Sequence, residues 1–344
     1  MKSITFIGPF PLPFSGTTVK NSILLKGLKN NVDSIDVVST TKNNYIVFYK
    51  LVKTFFSKNR YIVISVSAGG RRVLLPYAFL SKLLFKKQVV LLPCGGTLAD
   101  ELREMKEGKL KLYTIFYNSL EQVFVETNTM KDRLKRIIPL ARISVMYNFK
   151  PRPEKPPFRK SNEAVRIVFL SRLSRAKGVF VLLEAFKELK KKNLDITLDY
   201  YGDFLMTDTN DESVFRSQIK GLNCVHWNGY LDSTKINKTL QTYDIFVFPT
   251  NCSSEGFPGA LIDSAYAGLP VVTTDIAFNS EIIEDGVTGL LCKPNDVSSL
   301  ASKIEELYFN PVGRQKMGEN NWNRSSEFDS DFAAKRLVNI LFNE

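Results

Sequence analysis

The chain has 344 residues, 44% hydrophobic and 24% charged, a composition that excludes disordered and fibrous classes and a length that fits about two globular domains. Its four cysteines, Cys94, Cys224, Cys252 and Cys292, show no C-x-x-C spacing, which argues against a zinc site or a disulfide framework. The net charge is +12, yet no zinc finger, RNP-type aromatic motif or basic repeat accompanies it, so nucleic acid is not an expected partner.

Residues 4–7 follow Met1-Lys2-Ser3 and are too short for a signal-peptide core, and no apolar run approaches the ~18 residues of a membrane span, so a cytoplasmic location is expected. Short β-rich apolar runs recur at 4–7, 35–38, 61–66, 89–92, 122–125 and 143–146, with helical patterns between them. Basic residues interleave with aromatic and aliphatic ones at 49–58, 80–87 and 109–117, which suits an anionic membrane face or, more blandly, a solvated lysine-rich surface. Residues 151–164 hold four prolines and several charges and read as a linker. A second series of strand patterns follows at 165–170, 196–201, 224–227, 245–248, 271–273 and 290–292. The expected fold is α/β, with two doubly wound Rossmann-like domains at 1–150 and 165–325. A last helix pattern at 332–342, within 326–344, is expected to pack back on the first domain. Ligands of such sheets bind beyond the carboxyl ends of the strands, so an inter-domain cleft is the expected site.

Two segments of the second domain carry chemistry. After the run 165–170, Arg172, Arg175 and Lys177 occupy a loop ending at Gly178, just before a helical pattern at 179–189. Cations there suit a pyrophosphate leaving group, on which charge builds during sugar transfer; a solvated basic turn is the bland alternative. Residues 253–275 place Glu255 on a Gly/Pro turn after the run 245–249, and Asp263 eight positions later on a helix. Eight residues exceed two helical turns by a small angle, which puts the two acids on roughly one face, near helix N-terminal amides suited to an anion. A nucleotide sugar meets all of these groups at once.

Other patterns stay weak. Ser174-x-x-Lys177 lacks the S-D-N and K-T-G partners of penicillin-binding enzymes, and the spacing from Gly8 to Gly16 matches neither a P-loop nor G-x-G-x-x-G. The sole histidine, His226, follows a strand pattern and reads as structural, as do Trp227 and Trp322.

Arg172 with Lys177-Gly178, Tyr201-Gly202-Asp203, Asn228-Gly229-Tyr230, and Glu255-Gly-Phe-Pro through Asp263 to Gly268-Leu-Pro-Val-Val stand in the order and spacing of one family. Over 165–291 the chain resembles the retaining nucleotide-sugar glycosyltransferases of family 4, which have the GT-B fold. The first domain resembles them more loosely, through Ile4-Thr-Phe-Ile-Gly-Pro-Phe-Pro, Ser15-Gly16-Thr17 and Tyr147-Asn148. The resemblance implies that Arg172 and Lys177 hold the diphosphate and that Glu255 contacts hydroxyls of the transferred sugar. It places Gly256, Phe257, Pro258 and Gly259 along the sugar and phosphate, with Gly16, Gly202 and Tyr230 also on the donor side. Asp263 would take the ribose hydroxyls, although the family's usual residue there is a glutamate, one methylene longer. Gly95 and Gly96 stand in a loop where many relatives carry a histidine; they offer backbone approach, with Asp100 and Glu101 as acceptor-side candidates. Ala277-Phe278-Asn279-Ser280-Glu281 replaces the relatives' paired glycines before Pro-Glu.

The implied activity is transfer of a sugar from a UDP-sugar, or a GDP-sugar, to a saccharide acceptor with retention, the departing phosphate taking the acceptor's proton. The acceptor would be lipid-linked and the setting bacterial envelope polysaccharide assembly, on the inner face of the plasma membrane. No metal or other cofactor is expected. The alternatives are a nucleotide-sugar epimerase or a phosphorylase of the same fold, or a non-catalytic sugar-binding subunit.

Overall fold

The computed structural model describes residues 2–10, 15–41, 43–157, 164–206, 208–276 and 278–342. Residues 158–163 of the expected linker, Ala277 and the last two residues of the C-terminal segment lie outside these. Two compact units emerge: one of Met1–Pro151, Ser254–Phe257 and Glu327–Glu344, the other of Arg152–Ser253 and Pro258–Ser326. Ser254–Phe257, read from the sequence as part of the second domain, therefore clusters with the first.

The first unit alternates β1 (Ser3–Gly8), α1 (Gly16–Lys29), β2 (Ser34–Ser39), α2 (Asn44–Phe55), β3 (Tyr61–Val66), α3 (Ala68–Phe85), β4 (Gln88–Pro93), α4 (Leu98–Arg103), α5 (Glu107–Ser119), β5 (Gln122–Val125), α6 (Asn128–Lys135) and β6 (Ile143–Val145). Its strands pair in parallel in the order β2-β1-β3-β4-β5-β6. A parallel sheet covered by helices on both faces needs continuous apolar strands, and Ile4, Phe6, Val63, Val90 and Phe124 are all buried.

The second unit runs β7 (Val165–Leu170), α7 (Val179–Lys191), β8 (Ile196–Tyr201), α8 (Thr209–Ile219), β9 (Val225–Trp227), α9 (Ile236–Leu240), β10 (Ile245–Phe248), α10 (Gly259–Tyr266), β11 (Val271–Thr274), α11 (Asn279–Ile282), β12 (Gly289–Cys292), α12 (Val297–Phe309) and α13 (Pro311–Arg324). Its parallel sheet has the order β12-β11-β10-β7-β8-β9. Phe169, Tyr200, Phe215, Phe246 and Phe248 are fully buried in its core. Trp227 packs edge-on against Phe204 and Phe215 and donates its ring N–H to Gly202 O, which accounts for it as a packing residue.

The last helix, α14 (Ser330–Phe342), belongs to the first unit and lies on α1. Ala334, Leu337 and Leu341 join Leu24 and Leu28 in one core cluster. A Cβ on Gly27 would come within 2.9 Å of Ala334 Cβ, so the absence of a side chain there lets the two helices approach closely.

Candidate functional site

In the second unit the sheet order reverses between β7 and β10, so the connections leaving these neighbours go to opposite sides. Their carboxyl ends open the crevice in which doubly wound sheets hold ligands. At that end the strand exits are laced together. Ser171 N donates to Tyr201 O at 3.1 Å, Leu173 N to Asp203 O at 3.0 Å, and Gly202 N to Gly229 O at 2.8 Å. Gly202 has φ +121°, and a Cβ there would stand 2.0 Å from Ser171 O, so only glycine fits. Arg172 and Tyr230 are both exposed at these exits. Among the described residues the Arg172 side chain enters no hydrogen bond or ion pair. His226, on β9, holds Nδ1 3.3 Å from Asp199 Oδ1.

The basic loop is built onto the end of β10. Residues Arg175–Lys177 form a 3-10 turn capped by the Ser174 side chain, which accepts from Lys177 N. Gly178 follows with φ +76°, and its missing Cβ would lie 2.0 Å from Pro249 O. Asn251 N and Thr250 Oγ1 both donate to Ala176 O, at 2.8 and 3.1 Å. Of the three cations, Arg175 is occupied: its Nε donates to Asp211 at 2.8 Å and its guanidinium covers the Phe180 ring. Lys177 Nζ stands 5.4 Å from the centre of the Phe248 ring, at the crevice. The structure thus places Arg172 and Lys177 at the strand ends and gives Arg175 a packing task.

One expectation needs correction. Helix α10 begins at Gly259, behind Pro258 with its extended ψ of 124°, so Glu255 precedes the helix and does not share a helical face with Asp263. Proline forces the residue before it out of the helical region, which stops the helix from extending back to Glu255. Pro258 offers no side-chain cap, so the first-turn amides at Gly259 and Ala260 lack a side-chain acceptor there. Asp263 is buried in α10, while Glu255 is half-buried on the loop.

Within the first unit that loop meets Tyr147, Asn148, Gly95 and Gly96, which the sequence marks, and Glu126, which it does not. Phe257 N donates to Glu126 Oε2 at 3.1 Å, and Asn148 Nδ2 donates to Phe257 O at 2.9 Å. The Phe257 ring packs against Tyr147 and Phe328. A Cβ on Gly256 would stand 2.7 Å from Glu126 Oε2 and 3.5 Å from the Gly95 carbonyl carbon and Gly96 N. Gly95, Gly96, Gly256 and Phe257 are therefore neighbours. Glu126 is itself paired with Lys20, Nζ to Oε1 2.5 Å, with both side chains under 10% exposed. Burial would lower the lysine pKa, but Glu126 and Cys94 outweigh it and leave it raised. The only hint in the sequence is a carboxylate directly after the apolar run 122–125. Gly16 opens α1 behind a Ser15–Thr18 capping box, and a Cβ on it would meet nothing within 4 Å. Asp100 is exposed beside Arg103, whereas Glu101 pairs with the buried Arg71 at 2.7 Å and accepts from Thr97.

Residues 152–324, half of the chain, match the family described as glycosyl transferases group 1. The chain belongs to that family. The capsular polysaccharide biosynthesis glycosyltransferase CapM of Staphylococcus aureus is 26% identical over 180 residues, 52% of this chain and 46% of CapM. The amylovoran biosynthesis glycosyltransferase AmsK of Erwinia amylovora is 26% identical over 276 residues, 70% of this chain and 66% of AmsK. The aligned part thus spans less than half of one relative and about two thirds of the other. Among solved structures, Anabaena HepE in complex with UDP matches at a TM-score of 0.79 and 16% identity over the whole of both chains. The sucrose-phosphate synthase of Thermosynechococcus elongatus matches at 0.74 and 14%, over 100% of this chain and 99% of that one. At such identities the likeness establishes the fold, the α/β GT-B class to which both parallel sheets of this glycosyl transferases group 1 member conform. No helix of the described residues is long and apolar enough to cross a membrane.

Proposed function

We propose that the protein is a retaining glycosyltransferase of family 4, moving a sugar from a nucleotide-sugar donor to a saccharide acceptor. The observation that carries this reading is the meeting of the β7 and β10 ends. There Gly178 abuts Pro249 O, and Arg172 and Lys177 stand where cations would offset charge on a departing diphosphate. In the proposed reaction the bond from the anomeric carbon to the diphosphate oxygen breaks and its electron pair leaves with the nucleoside diphosphate. The acceptor oxygen bonds the anomeric carbon on the same face, and its proton passes to the departing phosphate. Arg172 and Lys177 supply the positive charge without a metal. Glu255 orients the sugar hydroxyls, Asp263 the ribose, and the glycine-rich turns around Gly16, Gly202 and Gly256 admit the donor.

A UDP-sugar is favoured because HepE was solved with UDP and with UDP-glucose. A lipid-linked acceptor in envelope polysaccharide assembly, met at the inner membrane face, is favoured by the names of CapM and AmsK and by exposed aromatic residues on α2 beside lysines. Thermal-shift screening against UDP-, GDP-, ADP- and dTDP-sugars tests the donor. A binder at a hundred times its Kd adds about 2.7 kcal/mol of apparent stability. A panel with no stabilising member would reject the donor reading, and a product of inverted anomeric configuration by NMR would reject retention.

A further inference from the structure

Between the first turn of α3, α4 and the start of α5, the first unit holds a cavity of about 380 Å³, of a size for a small ligand. Its lining is net positive: Arg71, Arg72, Lys106 and Lys109 stand with two carboxylates, Glu101 and Glu104. Arg71 is 2% exposed. Its guanidinium gives one hydrogen bond of 2.7 Å to Glu101 and a long one, 3.4 Å, to Cys94 O. Its Nε, also buried, has no partner. That nitrogen is sealed from solvent, so a ligand in the cavity would meet the guanidinium only at its terminal nitrogens, where a charged donor favours an anion. Glu101 is already neutralised by Arg71, so Arg72, Lys106 and Lys109, all exposed, leave the mouth positive against Glu104. The buried phenols of Tyr113 and Tyr117 complete the wall. Burial pushes the Tyr117 phenol above the ordinary tyrosine range, so it stays protonated and able to donate.

We propose that this cavity seats a phosphate or diphosphate group of the acceptor, held by Arg71 below and by Arg72, Lys106 and Lys109 at its mouth. The assignment rests on the acceptor part of the proposed function and sharpens it: the acceptor would carry its phosphate link to the lipid. The pocket lies on α3 and α5, whose outer faces expose Leu83, Leu84, Leu112 and Ile115, so a prenyl chain leaving the phosphate would find apolar surface.

Isothermal titration of the full chain with farnesyl diphosphate and with inorganic pyrophosphate, with and without saturating UDP, tests the assignment. Wild type should bind farnesyl diphosphate in the presence of UDP, and pyrophosphate should displace it. Arg72→Ala/Lys106→Ala removes two exposed side chains and should weaken both ligands at least about tenfold, ~1.4 kcal/mol, while UDP titrates as in wild type. Absence of farnesyl diphosphate binding, loss of it when UDP is added, or equal affinity in the double variant would each overturn the proposal. If UDP fails to bind while the variant still loses farnesyl diphosphate, the donor reading falls and the phosphate pocket stands.

Discussion

Lys20 and Glu126 form a buried ion pair that also holds the glutamate-bearing loop: Nζ lies 2.5 Å from Oε1, and the other carboxylate oxygen accepts Phe257 N–H. The lysine comes from α1 and the glutamate from the turn after β5, so one carboxylate ties two parts of the first unit to the peptide two residues beyond Glu255. The Lys20 ammonium also faces the Phe149 ring at 5.4 Å. Removing one member of such a pair leaves a charge in a site closed to water. Lys20→Met and Glu126→Leu should each lower stability by about 3–5 kcal/mol, and the double variant should lose less than the sum. Urea unfolding of the four proteins measures this. Single variants within about 1 kcal/mol of wild type would mean the pair is solvated.

The same pair sets a pH dependence. The raised pKa of Lys20 lies above the ordinary value of 10.5 that it takes on unfolding. Its contribution is therefore whole below that ordinary value and is lost as pH climbs through the higher folded one. The stability difference between wild type and Lys20→Met should stay constant from about pH 7 to about pH 9 and shrink only beyond the lysine range. Denaturation midpoints at stepped pH decide this, and a difference that already declines near neutrality would contradict the assignment.

Glu255→Gln should fold as wild type does and keep most of its nucleotide affinity. Turnover should fall a hundredfold or more, the scale of one lost transition-state contact, about 2.7 kcal/mol. Single-turnover assays with an authentic acceptor measure it; a rate within a few-fold of wild type would remove Glu255 from the sugar.

The three cations of the basic loop should separate. Arg172→Ala and Lys177→Ala are each expected to weaken nucleoside-diphosphate binding, with coupling in the double variant because both would face one phosphate pair in the proposed donor site. Arg175→Ala should leave that affinity unchanged, since its guanidinium is occupied by Asp211 and Phe180. Calorimetry with free UDP reads all three, and an Arg175 effect equal to that of Arg172 would place the diphosphate elsewhere.

Among the described residues all twelve strands overlap apolar runs visible in the sequence, and the inner strands are continuous in hydrophobic residues because a parallel sheet buries them on both faces. The glycine turns at 178 and 202 were legible as motifs, and the structure supplies their cause in carbonyl oxygens 2.0 Å from a would-be Cβ. Glu255 and Asp263 do not share the helical face that their eight-residue spacing suggests, because Pro258 keeps Glu255 outside α10. Lys20 and Glu126 stayed hidden because they lie 106 residues apart, and nothing local marks a charge that folding will bury. Lys87 misled in the opposite sense. It lies in a basic-aliphatic run, yet it turns inward to donate to Ser57 O and Asn59 O.

The first unit should mediate association with anionic membranes through α2, where Tyr45, Phe48 and Tyr49 are exposed and Lys53 adds charge, with Phe56 exposed just beyond. The run 109–117 contributes less than its composition promises, because Tyr113, Phe116 and Tyr117 face the core and only Leu112 and Ile115 remain outside among its large apolar residues. Basic residues near an anionic surface contribute about 1 kcal/mol each and are screened within a Debye length, so binding should weaken as salt rises. Aromatic insertion adds a component that salt does not remove. Tyr45→Ser/Phe48→Ser should therefore lower vesicle binding at high salt more than at low salt in relative terms, while the thermal midpoint hardly moves, since both rings are already in water. Co-sedimentation with phosphatidylglycerol and phosphatidylcholine vesicles at two salt concentrations measures both effects. Equal binding to the two lipids, or none to either, would leave the +12 charge as surface solvation and remove this support for a lipid-linked acceptor.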